Sequence, residues 1–197
     1  MANARFSVAP AYYTGSEVTP EVTVTHSGKT LVKDRDFTVT YHNNIEPSSY
    51  YNSPWVGIDG IGNYQGYVTK SFTINRADIS SCTVTLSDES LTYTGSSLRP
   101  TATVKSGDKE LTLNQDYYVS YRNNWDAGTA SAILTGTGNY TGSVTRDFTI
   151  KPLDINRYSA SLSQYSYTSD GTEKCPDVTV TYGDKTLATG TDFTVSY

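Results

Sequence analysis

Helix formers are scarce in this 197-residue chain: it has a single Met and few Leu or Ala, which argues against long helices. Charge is scarce as well, at 18% of residues, and no basic run relieves a net charge of −5. A sequence-independent nucleic-acid binder needs clustered Lys and Arg to neutralise phosphates, so nucleic acid is not an expected partner. No apolar stretch approaches the roughly 18 residues that cross a bilayer, and no membrane insertion is expected. The opening Met1-Ala2-Asn3-Ala4-Arg5-Phe6 leads straight into a strand-like segment and carries no charged-then-apolar leader. If the parent protein is exported, the chain is an excised piece of it.

Catalytic arrangements are also missing. There is no Gly-x-Ser-x-Gly elbow and no Cys with plausible partners. His26 lies beside a hairpin turn and His42 follows a strand, so both read as solvated. Asp34 and Asp36 flank Arg35 like a fragment of a calcium loop, but the rest of such a loop is absent. No metal, cofactor or enzymatic activity is therefore expected. Asp36 reads instead as a turn acceptor ahead of a strand.

What the chain does contain is a repeat. Tyr13-Thr-Gly, Pro20-Glu-Val-Thr-Val, Gly28-Lys-Thr-Leu, Asp36-Phe-Thr-Val-Thr-Tyr41 and Asn43-Asn44 are followed by Gly62-Asn63-Tyr64, Gly66 and Phe72-Thr-Ile74. The same series runs from Tyr93-Thr-Gly95 through Pro100, Gly107, Asp116-Tyr-Tyr-Val-Ser-Tyr121, Asn123-Asn124 and Gly138-Asn139-Tyr140 to Phe148-Thr-Ile150. A third copy has Tyr167-Thr168, Pro176-Asp-Val-Thr-Val, Gly183-Asp-Lys-Thr-Leu and Asp192-Phe-Thr-Val-Ser-Tyr197. A period near 80 residues is too long for a solenoid turn and suits a small independent domain. The boundaries fall at 1–76, 77–151 and 152–197, the third copy being incomplete. The joins are short, with Ile79 and Ile155 at equivalent places where they can pack, and the expected arrangement is an elongated rod.

Within each copy the period is two. Val22 and Val24, then Phe37, Val39 and Tyr41, alternate with polar residues, as antiparallel strands over a shared core do. Ser27-Gly28, Gly107-Asp108 and Gly183-Asp184 mark hairpin turns. The Gly-Asn-Tyr segments are turns, since no helix follows to make them a phosphate cradle. Tyr13, Tyr41, Tyr64, Tyr93, Tyr121, Tyr140 and Tyr167 recur with the repeat and read as core. Cys82 and Cys175 occupy different positions of different copies, so two free thiols are expected; a bridge would need their Cα atoms within about 7 Å.

The pattern Tyr-Thr-Gly…Pro-x-Val-Thr-Val…Gly-x-Lys-x-Leu…Asp-Phe/Tyr-x-Val-x-Tyr-x-Asn-Asn…Gly-x-Gly-Asn-Tyr-x-Gly…Phe-Thr-Ile resembles the tandem repeats of large surface proteins of Gram-positive gut bacteria, which are grouped with bacterial immunoglobulin-like modules. The resemblance implies an all-β fold of tandem small antiparallel β-sandwich domains, outside the cell. It implies a stalk or spacer, or an adhesin that binds a host protein or glycan. Alternatives are an accessory module of a large secreted enzyme and a strand-donating surface polymer. Such proteins can carry autocatalytic side-chain crosslinks, but no suitable triad is identifiable. The incomplete third copy should leave an exposed strand edge, open to pairing with another chain; a monomer is the expected state.

Candidate ligand-binding residues are aromatics that do not recur. Copy 1 alone has Tyr50, Tyr51 and Trp55, in a segment about four residues longer than its counterpart, and copy 2 has Trp125 after Asn123-Asn124. Loops that differ on a shared scaffold are where specificity is usually placed.

Overall fold

The structure, a computed structural model, describes residues 4–197; the opening Met1-Ala2-Asn3 lies outside the described residues. The described residues are all-β, with two 3-10 turns and no α-helix. The chain divides into two compact units, Met1–Ile150 and Lys151–Tyr197. The first holds the first two copies of the repeat.

In copy 1, β1 (Ala4–Val8) runs antiparallel to β3 (Val22–His26), with Phe6 opposite Val24. After β1 the chain continues as β2 (Ala11–Tyr12). A turn at Ser27 and Gly28, both at positive φ, joins β3 to β4 (Lys29–Thr30). A second sheet is the meander of β5 (Phe37–His42), β6 (Trp55–Gly60) and β7 (Tyr67–Ser71). Beyond it, β8 (Ile74–Asn75) pairs with β2 in parallel as a separate two-stranded sheet. The two sheets share one cluster: Val24 and Leu31 meet Phe37, Val56 and Ile58. Each such side chain fully removed from water contributes about 1.5–3 kcal/mol.

Copy 2 repeats the plan. The linker forms β9 (Ala77–Asp78) and a 3-10 turn at Ile79–Ser81, capped by the Asp78 carboxylate, which accepts from the Ser80 amide at 2.9 Å. Then β10 (Thr83–Leu86) pairs with β12 (Ala102–Ser106), which turns into β13 (Lys109–Glu110). The other sheet has the order β11 (Ser90–Thr92), β17 (Ser143–Lys151), β15 (Gly128–Gly136), β14 (Tyr117–Arg122). Between β15 and β17 the short β16 (Tyr140–Thr141) pairs with β9 in parallel. The two parallel pairs depart from the purely antiparallel expectation. In both, a segment leaving one sheet is taken up alongside a strand that already runs the same way.

The second unit has one sheet, β18 (Ser159–Leu162), β19 (Val178–Tyr182) and β20 (Lys185–Thr186). Val180 is buried, but Leu162 and Tyr165 are exposed. Tyr167, expected in the core, is 41% exposed, and Ile155 is 47% exposed where its counterpart Ile79 is fully buried. The reason is the missing layer: Ile79 packs with residues of both sheets of copy 2, including Val104 and Leu134, and among the described residues unit 2 has only the first sheet.

The recurring Asp is the expected turn acceptor in all three copies. The carboxylates of Asp36, Asp116 and Asp192 accept from the amides of Val32, Thr112 and Ala188, each at 2.8 Å. Two residues before each Asp, the backbone has positive φ at Asp34, Asn114 and Gly190, residue types that tolerate that region. Tyr41 and Tyr121 donate to the carbonyls of Pro20 and Pro100 at 2.5 and 2.6 Å, and Tyr197 donates to that of Pro176.

Candidate functional site

The extra length in copy 1 interrupts a strand. In copy 2 the nine-residue β15 pairs without a break, Gly128 opposite Ile150 and Ala130 opposite Phe148. In copy 1 the Ser48 amide donates to the Ile74 carbonyl at 2.8 Å, and the Phe72 amide donates to the Pro54 carbonyl at 3.1 Å. Residues 49–53 therefore stand where Thr129 alone stands. They form a closed tip: the Ser49 amide donates to the Asn52 carbonyl at 2.8 Å and the Asn52 amide to Ser49 Oγ at 3.0 Å. Asn52 Nδ2 ties the tip to the Glu46 and Pro47 carbonyls at 2.8 and 3.2 Å.

Tyr50 and Tyr51 sit on this tip, each 94% exposed, with rings edge to face at 5.1 Å. Trp55 begins β6 and stacks on His42 across the strand pair, 3.9 Å between centroids and 13° between planes. Trp55 is half-buried and outside the core cluster of copy 1. Ring contacts among the described residues join Tyr50 to Tyr51 and Trp55 to His42.

Trp125 occupies the matching loop of copy 2. Asn124 is buried below it; its Nδ2 donates to the Leu98 carbonyl at 2.8 Å and its own carbonyl accepts from the Leu98 amide at 2.8 Å. Asn123, at φ 52°, turns the chain outward, and Trp125 is left 58% exposed. Asn123, Trp125, Asp126, Ala127, Gly128 and Thr129 line an open cleft of about 540 Å³.

The sequence reading missed a third feature, the join between copies 1 and 2. Tyr13 and Tyr140, each expected in its own core, meet across it, and one buried cluster runs from Tyr13, Phe72 and Ile74 of copy 1 into Ile79, Val84, Val104 and Leu134 of copy 2. Lys109 Nζ donates to Tyr13 Oη at 3.3 Å and lies 5.5 Å from the ring centroid; the hydrogen bond holds the ammonium above its ordinary value. Asn139 Nδ2 donates to the Glu46 carboxylate at 2.6 Å. A signal was present: a Lys recurs at 29, 109 and 185, at equivalent places in the three hairpins.

Groups that resemble catalytic or metal-binding ones have other partners. His26 packs edge-on to Tyr64 at 6.1 Å. Asp36 is held below its ordinary value first by the Arg35 guanidinium and then by the Val32 amide. Cys82 is buried, which pushes its thiol up, and Cys175 is exposed; both are free. Among the described residues, no three His, Cys, Asp or Glu side chains are grouped to hold a metal. Among the described residues, no helix is long and apolar enough to cross a membrane. No protein-family model, curated protein or solved structure matches the chain.

Proposed function

We propose that this chain is the non-catalytic repeat region of a bacterial cell-surface or secreted protein, made of immunoglobulin-like sandwich modules and acting as a stalk. The observation that carries the reading is the join between copies 1 and 2. A linker left loose in water lets two domains swing; here the linker is a strand of the following copy, paired through the Ala77 amide to the Asn139 carbonyl at 3.0 Å. The core is continuous on both sides of it. A join of that kind resists bending, which is what a spacer needs. The sandwich reading rests on two sheets sharing one apolar cluster in each complete copy.

Spin labels at Lys70→Cys in copy 1 and Lys105→Cys in copy 2, in a Cys175→Ser background, test it. A stiff join gives a narrow distance distribution. A broad one, as for domains on a flexible tether, rejects the stalk.

The tip at Tyr50 and Tyr51 favours a second, compatible role as an adhesive loop. The tip breaks a strand and adds nothing to the core, yet it is tightly tied. Tyr is amphipathic and loses few rotamers on contact, so it serves protein and glycan interfaces alike. Capture on immobilised host matrix proteins and glycans, lost in Tyr50→Ser/Tyr51→Ser, tests this role; capture that survives the double change removes it.

A further inference from the structure

The cleft beside Trp125 has the parts of a sugar subsite, and we infer that it binds one neutral hexopyranose unit of a glycan, stacked on the Trp125 indole and hydrogen-bonded by Asp126 and Asn123. The inference rests on the ligand-presenting reading of these loops, but not on the tyrosine tip.

The occupant follows from the lining. A pyranose has one face of polarised C–H groups and a rim of hydroxyls. The first suits the electron-rich face of an indole; the second needs acceptors and donors at the edge. Trp125 supplies an indole left 58% exposed. Asp126 supplies a carboxylate that accepts hydroxyl protons, and Asn123 and Thr129 supply groups that both donate and accept. The volume of about 540 Å³ falls within the roughly 300–1,000 Å³ of small-ligand sites. The Asp126 carboxylate and the net charge of −5 disfavour sugars carrying a carboxylate.

The site is also pre-ordered. Asn124 fixes the base of the loop through two hydrogen bonds to Leu98, so binding has little loop-ordering entropy to overcome. Position matters too. Copy 1 has Ile45-Glu46 where copy 2 has Trp125-Asp126, and there Glu46 is taken by Asn139 of the following copy. The indole is specific to copy 2.

The chain has two tryptophans, so Trp55→Phe leaves Trp125 as the sole indole reporter. Its fluorescence is followed while methyl glycosides of glucose, galactose, mannose and N-acetylglucosamine are added, with the glucuronide as the charged comparison. At least one neutral glycoside should give a saturable change with a dissociation constant of about 1–10 mM, the weak range of a single-unit site. Asp126→Ala should weaken it about tenfold, and the glucuronide should bind less well than its neutral parent. Saturation-transfer NMR on the otherwise unchanged chain should show the same glycoside losing contact in Trp125→Ala at unchanged melting temperature. No response to any neutral glycoside up to about 50 mM, equal binding of the glucuronide, or binding that survives Trp125→Ala would each overturn the site. Because Tyr50 and Tyr51 are untouched, its failure is separable from failure of the adhesive tip.

Discussion

Tyr13 and Tyr140 meet edge to face across the boundary of two repeats, with ring centroids 5.7 Å apart and planes at 90°. Tyr140 is 1% exposed. Its counterpart Tyr64 is half-buried against His26. The same residue in the same turn thus has two environments, and truncation should separate them. Tyr140→Ala should destabilise the first unit by about 3–5 kcal/mol, the cost of emptying a large buried aromatic site. Tyr64→Ala should cost about half that. Urea melts followed by circular dichroism measure both; equal losses would remove the special role of the join.

Gly142 provides a second contrast. It has φ +76°, and a Cβ there would lie 2.5 Å from Oδ1 of Asp78, the residue that caps the linker turn. Gly66, its equivalent in copy 1, has φ +99° and open space around the Cβ position. Both Ala variants should lose about 1–2 kcal/mol to the left-handed backbone. Gly142→Ala should lose about 1–3 kcal/mol more through overpacking of the linker. If the two melts shift equally, Asp78 is not held against this turn.

Alkaline pH should unfold the first unit together with ionisation of a subset of its phenols. Burial raises Tyr41, Tyr117, Tyr121 and Tyr140 above the ordinary value of 10.0. A phenol raised on folding contributes stability that is fully present below about pH 10 and is lost as pH rises through the folded-state value. Absorbance of tyrosinate near 295 nm should therefore rise in two steps, the later one coinciding with loss of the β signal. A single step among the 17 tyrosines, with the fold intact, would contradict this.

Tyr50→Ser/Tyr51→Ser should leave stability within about 0.5 kcal/mol of the parent, as substitutions at exposed positions do. A larger loss would mean that the tip supports the fold, and the case for an adhesive loop would weaken.

Much of this architecture is legible from residue order. Alternation at Val22 and Val24, and at Phe37, Val39 and Tyr41, marks strands because the pleat sends successive side chains to opposite faces. Gly28 and Gly107 mark hairpins, and the recurring Asp marks a turn, because those conformations admit few residue types. The tip at Tyr50 and Tyr51 stands out as a length difference between copies. Other features depend on long-range placement. The parallel pairing of Ala77–Asp78 with Tyr140–Thr141 joins segments more than 60 positions apart, and neither has enough length for a period to show. Tyr13 and Tyr140 read as core, and they are, but the core they share spans two copies. Tyr167 reads as core and Ile155 as packing at a junction like Ile79, by analogy with the first unit, and that analogy fails because among the described residues the second unit has no second sheet to cover them.

The central claim is that copies 1 and 2 form one cooperative body through their join. Native-state hydrogen exchange tests it most directly. The amides of Leu31 and Leu111 mark the two cores through their bonds to the Val24 and Val104 carbonyls, and the Ala77 amide marks the join through its bond to the Asn139 carbonyl. As denaturant rises, the three should merge into a single opening of the same free energy, with residues 151–197 exchanging earlier. Separate openings for Leu31 and Leu111, with Ala77 exchanging ahead of both, would contradict it.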